Sequence, residues 1–316
     1  MAQPEYLLAQ LQTLSARSDL ISILDAWGAY LDAHGVPPLG GSLVDRLAYH
    51  AALRGITVQS LWNGNLQAPS QILISSSPGF AFDVSNISSL WQDTAGTIPV
   101  TEPGDPVARM DDVSSRGNHA LQADTNKQPT YQVDSNGNGY LAFDGLDDFL
   151  VTPAIDLSGS PLIYALAAVV REGTPQADII LEQTASSAGT PGAFAVNVAS
   201  GQARAILGMA AGTSSQAIHV TPELKMLWGV SYNTAAGTSE GAIPALRFGR
   251  ADVTATAAYV GAPTPTAAGA NGEVYVASRA GTGLFLQGRL YGAVVRGGGT
   301  QLSTVRALED YYAARF

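Results

Sequence analysis

Residues 139–152 read GYLAFDGLDDFLVT. Two short apolar runs, 140–143 and 149–152, flank Asp144, Gly145, Asp147 and Asp148. Side chains alternate between faces along a strand. On that rule Leu141 and Phe143 point inward from one strand, and Phe149 and Val151 from the next. Aspartates packed this closely admit three readings. They can ligate calcium, serve as catalytic carboxylates, or close a turn by bonding back to nearby amides while Gly takes a positive φ. The last reading makes the segment a hairpin-like corner.

The pattern on either side is the same. Alternating or short apolar runs recur at 162–170, 179–181, 194–198, 203–207, 226–232, 246–248, 274–277 and 290–295, bounded by Gly, Pro, Asn or Asp. About ten strands at this spacing predict a mainly β chain folded as an antiparallel sandwich or barrel rather than a parallel sheet. A helix is expected at 302–314, with Val305, Leu308, Tyr311 and Tyr312 on its apolar side.

The first 65 residues have a different rhythm. Pro4 suits a first helical turn, and Leu7, Leu8, Leu11 and Leu14 follow at helical spacing. Ser18 can cap a second helix with Leu20, Leu24, Trp27 and Leu31 on one stripe. Gly35 and the prolines after it stop that helix, and Ser42 can cap a third. Helices this short are marginal alone. They form either a cap on the main domain or a docking module, in which Leu7, Leu11, Leu20, Leu24, Trp27 and Leu31 are the docking residues. The resulting division is a helical module over 1–65, a linker over 66–79 rich in Ser and Pro, and a sandwich over 80–316 with its terminal helix.

Composition narrows the function. Among 316 residues, 13% are charged and the net charge is −10. Lysine occurs only at 127 and 225, and no basic run exists. Nucleic acid and anionic membrane are therefore not expected partners. The chain has no cysteine, which excludes disulfides and thiolate metal sites. The N-terminus lacks the basic and apolar regions of a secretory signal. The run at 162–170 is about half the ~20 residues a bilayer span needs.

Catalytic signatures are missing. His34, His50, His119 and His219 lie far apart, with no metalloprotease spacing. There is no G-x-S-x-G elbow and no phosphate loop. Glycoside hydrolysis needs two carboxylates across the scissile bond. Acidic residues at i and i+2 of a strand would share a groove, and no such E-x-D-x-x-E stretch occurs. For glycan binding by stacking, the candidate rings are Trp91, Trp228, Tyr259 and Tyr275. Trp228 lies in an apolar run and reads as core. Tyr259 borders a Pro/Ala/Gly loop and is expected to be exposed.

A resemblance becomes specific between Leu90 and Thr152. LWQDTAGTIPVTEPGDPVARMDDVSSRGNHALQ (90–122), KQPTYQ (127–132) and the opening stretch stand in an order that resembles the concanavalin A-like, laminin-G-like sandwich domains of tailed-phage virion proteins. GRLYGAVVRGGGTQLSTVRALEDYYAARF (288–316) resembles their closing strand and helix. The acidic alternation of the sandwich glucanases is absent. The resemblance thus implies a non-enzymatic structural protein of a phage or phage-like particle: capsid decoration, head fibre or tail fibre. It would be assembled in the host cytoplasm and exposed on the virion. Residues 1–65 would dock to other virion proteins, the sandwich would adhere to a surface, and fibres of this kind are often homo-oligomers. Calcium at the sandwich rim is the implied cofactor, with Asp144, Asp147 and Asp148 as ligands and Asp111 and Asp112 as further donors. The alternatives are a receptor-binding lectin, with Tyr259 as the glycan platform, and a polysaccharide depolymerase.

Overall fold

The computed structural model describes residues 77–316 apart from 115, 173–176, 200, 211–213, 221–224, 244, 262–263, 267 and 316. The helical module, its six docking residues and most of the linker lie outside the described residues. Two antiparallel sheets face each other. One runs, edge to edge, Ala251–Asp252, Ala245–Phe248, Lys225–Asn233, Leu162–Arg171, Gln287–Gly297, Gly139–Asp144 and Thr130–Val133. Gly79–Asp83 also pairs with Gln287–Gly297, which makes eight strands. The other sheet has ten strands: Ala258–Gly261, Ser214–Val220, Gln202–Gly208, Phe194–Ala199, Asp178–Gln183, Val274–Val276, Leu150–Val151, Ala120–Leu121, Arg109–Met110 and Leu90–Trp91. The expected mainly-β antiparallel sandwich is the fold observed.

The core lies between the sheets because each strand turns its alternate apolar residues inward. Leu141, Phe143, Val169 and Leu290 from one layer meet Leu90, Met110, Val196 and Leu207 from the other, all buried. Trp228 is 1% exposed and belongs to this core, with Phe248 and His219 against its ring. Burying each such side chain is worth ~1.5–3 kcal/mol.

The helix Leu302–Ala313 closes the chain. Its Tyr312 donates to the Phe82 carbonyl at 2.8 Å, and the ring lies where Gly292 has no side chain. A Cβ at Gly292 would stand 2.2 Å from that ring, so the close approach requires glycine.

Candidate functional site

The opening segment is not a hairpin. Gly139–Asp144 belongs to the eight-stranded sheet and Leu150–Val151 to the ten-stranded one. The corner carries the chain from one layer of the sandwich to the other. The inward residue after it is Leu150, fully buried, so Phe149 and Val151 face outward and are half-buried. This reverses the expected phase. Three apolar residues in a row cannot fix which face they occupy; pairing of Leu150 with Val276 does.

The aspartates build the corner. Asp144 Oδ1 accepts from Leu146 N (2.8 Å) and Asp147 N (3.3 Å), and Asp148 Oδ2 accepts from Asp144 N (3.1 Å). Gly145 sits at φ +79, where a Cβ would also meet Gln287 at 2.7 Å. Oxygens of all three carboxylates lie within 4.8 Å of one another. Asp148 is 8% exposed, and its carboxyl is pushed up to about 6 by burial and then by the charges of Asp144 and Asp147. Three side-chain oxygens fit one face of a calcium shell, which takes six to eight. Backbone carbonyls and water would have to supply the rest. Asp111 and Asp112 do not join this group and are engaged elsewhere. A raised carboxyl beside others is also an acid/base motif. Here, however, Asp148 is buried and committed to the turn, so the arrangement acts as a clamp on the sheet-to-sheet crossing.

A second feature lies on the outward face of the ten-stranded sheet. The cross-strand register sets Trp91 opposite Arg109, Arg109 opposite Leu121, Leu121 opposite Val151, and Val151 opposite Tyr275. Their inward neighbours Leu90, Met110, Ala120, Leu150 and Val276 are buried, so these five point out. All five are partly exposed. Five rungs at the usual strand spacing span roughly 19 Å. Phe149 extends the patch, its ring 6.4 Å from that of Tyr275. The next rung, Glu182, is wholly buried and bound by Arg279 through both oxygens (2.9 and 3.2 Å) and by Ser187 N and Oγ (2.9 Å each).

Asp111 fixes the edge of this row. It accepts from Trp91 Nε1 at 2.8 Å and Arg109 Nε at 2.6 Å. His119 Nδ1 lies 2.8 Å from its Oδ1 and 3.2 Å from Asp112 N. One ring nitrogen cannot donate to the carboxylate and accept from the amide at once. The shorter contact would be repulsive between two bare acceptors, so the proton belongs on Nδ1, donated to Asp111. The indole, guanidinium and imidazole are thus immobilised around one carboxylate.

The other candidates fall elsewhere. Tyr259 faces inward, half-buried and packed against the core, with its hydroxyl 3.4 Å from the Thr254 carbonyl. Its exposure is therefore less than expected, because its partner in register, Ala217, is an inward residue. The sequence did not single out the outer face of the other sheet, where Arg289 stacks 4.9 Å over Tyr140 and Tyr140 lies 5.6 Å from Tyr291. Tyr291 donates to Asp134 at 3.2 Å, and burial with that charge pushes its hydroxyl up to about 12. Arg289 also binds Glu172 at 2.5 Å, so this network is closed on itself.

No family model and no curated protein matches the chain. Among solved structures it is similar to the receptor-binding domain of botulinum neurotoxin mosaic serotype C/D (7% identity, TM-score 0.48, 75% of this chain and 51% of that one). It is similar also to a botulinum neurotoxin type C structure concerned with two ganglioside molecules (6%, 0.47, 76% and 52%). A third is Trypanosoma rangeli sialidase (15%, 0.41, 72% and 36%). The chain spans about half the length of the toxin chains it matches. The sandwich assignment rests on the strand pairing above and not on these likenesses.

Proposed function

We propose that the protein is a non-catalytic adhesion module that binds a glycan across the outward face of its ten-stranded sheet, from Trp91 to Tyr275. The observation that carries this reading is the row itself: two partly exposed aromatic rings on one face, with Arg109 and His119 held rigid by Asp111. Sugars present C–H faces that stack on aromatic rings, and hydroxyls that pair with charged planar groups. Side chains already fixed by their neighbours lose little entropy when a ligand arrives.

The test is a glycan array followed by titration of any hit. Trp91→Ala and Tyr275→Ala should each weaken saturable binding about tenfold or more, the cost of one stacking anchor. Tyr259→Phe should leave it unchanged. Binding that survives both aromatic substitutions refutes the reading. No reducing ends should be released from a bound polysaccharide.

The resemblance of residues 90–152 supports display of this module on a phage-like particle, docked to other virion proteins through residues 1–65. Deleting residues 1–65 should abolish particle association while leaving glycan binding intact. Particle association by the truncated chain would refute that docking role.

A further inference from the structure

We propose that a cleft beside the start of strand Gly79–Asp83, walled by Arg116 and Arg296, binds a small oxyanion: a phosphate, a sulfate or a sugar carboxylate. The cleft is shallow and open to solvent, and it is lined also by Ser77, Gly79, Ser114 and Val295. It is separate from the aromatic row and does not depend on the glycan reading.

Both arginines lack a counter-charge among the described residues. In a chain with 26 acidic and 16 basic side chains, that pairing of unmatched cations runs against the composition. Arg296 lies near the end of strand Gln287–Gly297, opposite Gly79 on one side and Tyr164 on the other. Its Nε is buried with no hydrogen-bond partner. Burial also pulls its guanidinium below the usual arginine range, as expected when nothing nearby compensates the charge. A partly buried guanidinium with an unmet Nε is costly, and an anion bound beside it repays part of that cost. Gly79 faces Arg296 in the register, and a Cβ there would stand 2.0 Å from the Val295 carbonyl, so the two strands approach closely at this wall of the cleft.

The opposite wall is built with equal care. Arg116 stands exposed on the loop after Met110, and the loop is fastened from beneath. The buried Asp112 accepts from Ala81 N (2.9 Å), Ser114 N (2.9 Å), Ser114 Oγ (2.6 Å) and Asn118 N (3.2 Å). Asn118 Nδ2 donates to the Gly79 carbonyl at 2.7 Å. These bonds tie the loop to the strand that floors the cleft. They also engage both oxygens of Asp112 with four donors. Two arginines without a counter-charge then line one cleft, an arrangement that an oxyanion completes.

Melting of the full chain is followed at constant ionic strength while phosphate, sulfate or glucuronate replaces chloride. Wild type should show a saturable rise in Tm with at least one of the three. Arg296→Gln should weaken the response about tenfold or more, Arg116→Gln several-fold, and the double variant should abolish it. Without added anion, Arg296→Gln should melt no lower than wild type, because an uncompensated charge has been removed. A response to phosphate or sulfate alone identifies a free inorganic anion, and one to glucuronate identifies an acidic sugar. A wild-type response that Arg116→Gln and the double variant share undiminished is a general salt effect and overturns the proposal. So does the absence of a saturable response to all three. Should Arg296→Gln fail to fold, Arg116→Gln decides alone, since its exposed side chain supports nothing else.

Discussion

Replacing Asp148 by Asn should make the protein more stable at neutral pH and hardly change it in acid. The folded carboxyl titrates at about 6, against 3.8 for the free group. A folded value above the unfolded one means that the native state holds its proton longer, so native stability falls as pH rises between the two values. The gap between them corresponds to about 3 kcal/mol, absent well below pH 3.8 and complete above pH 6. Of this, about 2 kcal/mol develops between pH 4.5 and 7.5. The amide of the variant can still accept from Asp144 N but titrates nothing, so the variant lacks this slope. Urea unfolding of both proteins at pH 4.5, 6 and 7.5 measures the gap, which should widen by about 2 kcal/mol in favour of the variant. Curves that stay parallel within about 0.5 kcal/mol would refute the argument from burial and like charge. The same series separates the turn clamp from a calcium site. A bound cation would compensate the charges, so 1 mM calcium would stabilise wild type at pH 7.5 and leave the variant unmoved. Wild-type curves identical in calcium and in chelator leave the clamp as the sole role.

Two other substitutions address the frame around the sites. Arg279→Gln leaves Glu182, which is fully buried, with only the Ser187 donors, and should cost about 3 kcal/mol. Adding Glu182→Gln should restore part of that loss in thermal melts; no recovery would count against the ion pair as its cause. Gly145→Ala meets both a left-handed backbone at φ +79 and Gln287 at 2.7 Å, and should destabilise by about 2 kcal/mol. Gly104→Ala, at φ +99 with nothing within 4 Å, isolates the backbone part and should cost less.

The strands legible in the sequence are those long enough to show a period. Gly139–Asp144, Leu162–Arg171, Lys225–Asn233 and Gln287–Gly297 each carry an apolar run bounded by turn residues, and all are observed. Leu90–Trp91, Arg109–Met110 and Ala120–Leu121 are two residues each, too short for any period to register. Ser214–Val220 reads SSQAIHV, polar enough to pass for a loop. Gly79–Asp83 is buried along its whole length but adjoins a Ser/Pro connector that hides its start. At the opening stretch, the aspartates and Gly145 signalled a turn correctly. That the turn switches sheets could not be read, because it depends on partners more than a hundred residues away, Val276 and Gln287.

The same limit explains the candidate site. Trp91 and Tyr275 stood out by residue type, yet only cross-strand register places them in one row. The two-residue strands between them have a physical consequence for function. Each needs one inward residue to anchor it: Leu90, Met110, Ala120 and Leu150 serve, all fully buried. The outward position then contributes little to the core and is free to be Trp, Arg, Leu or Val. Stability and recognition are thereby divided between adjacent residues of the same strand. Substitutions along the outward row should change what the face binds with little effect on melting, whereas changes to the inward set should unfold this side of the sandwich. A loss of 2–5 kcal/mol is typical for truncating a buried Leu or Met to Ala, against roughly 0.5 kcal/mol at a surface position. A face organised in this way can diversify its ligand without redesigning the fold beneath it.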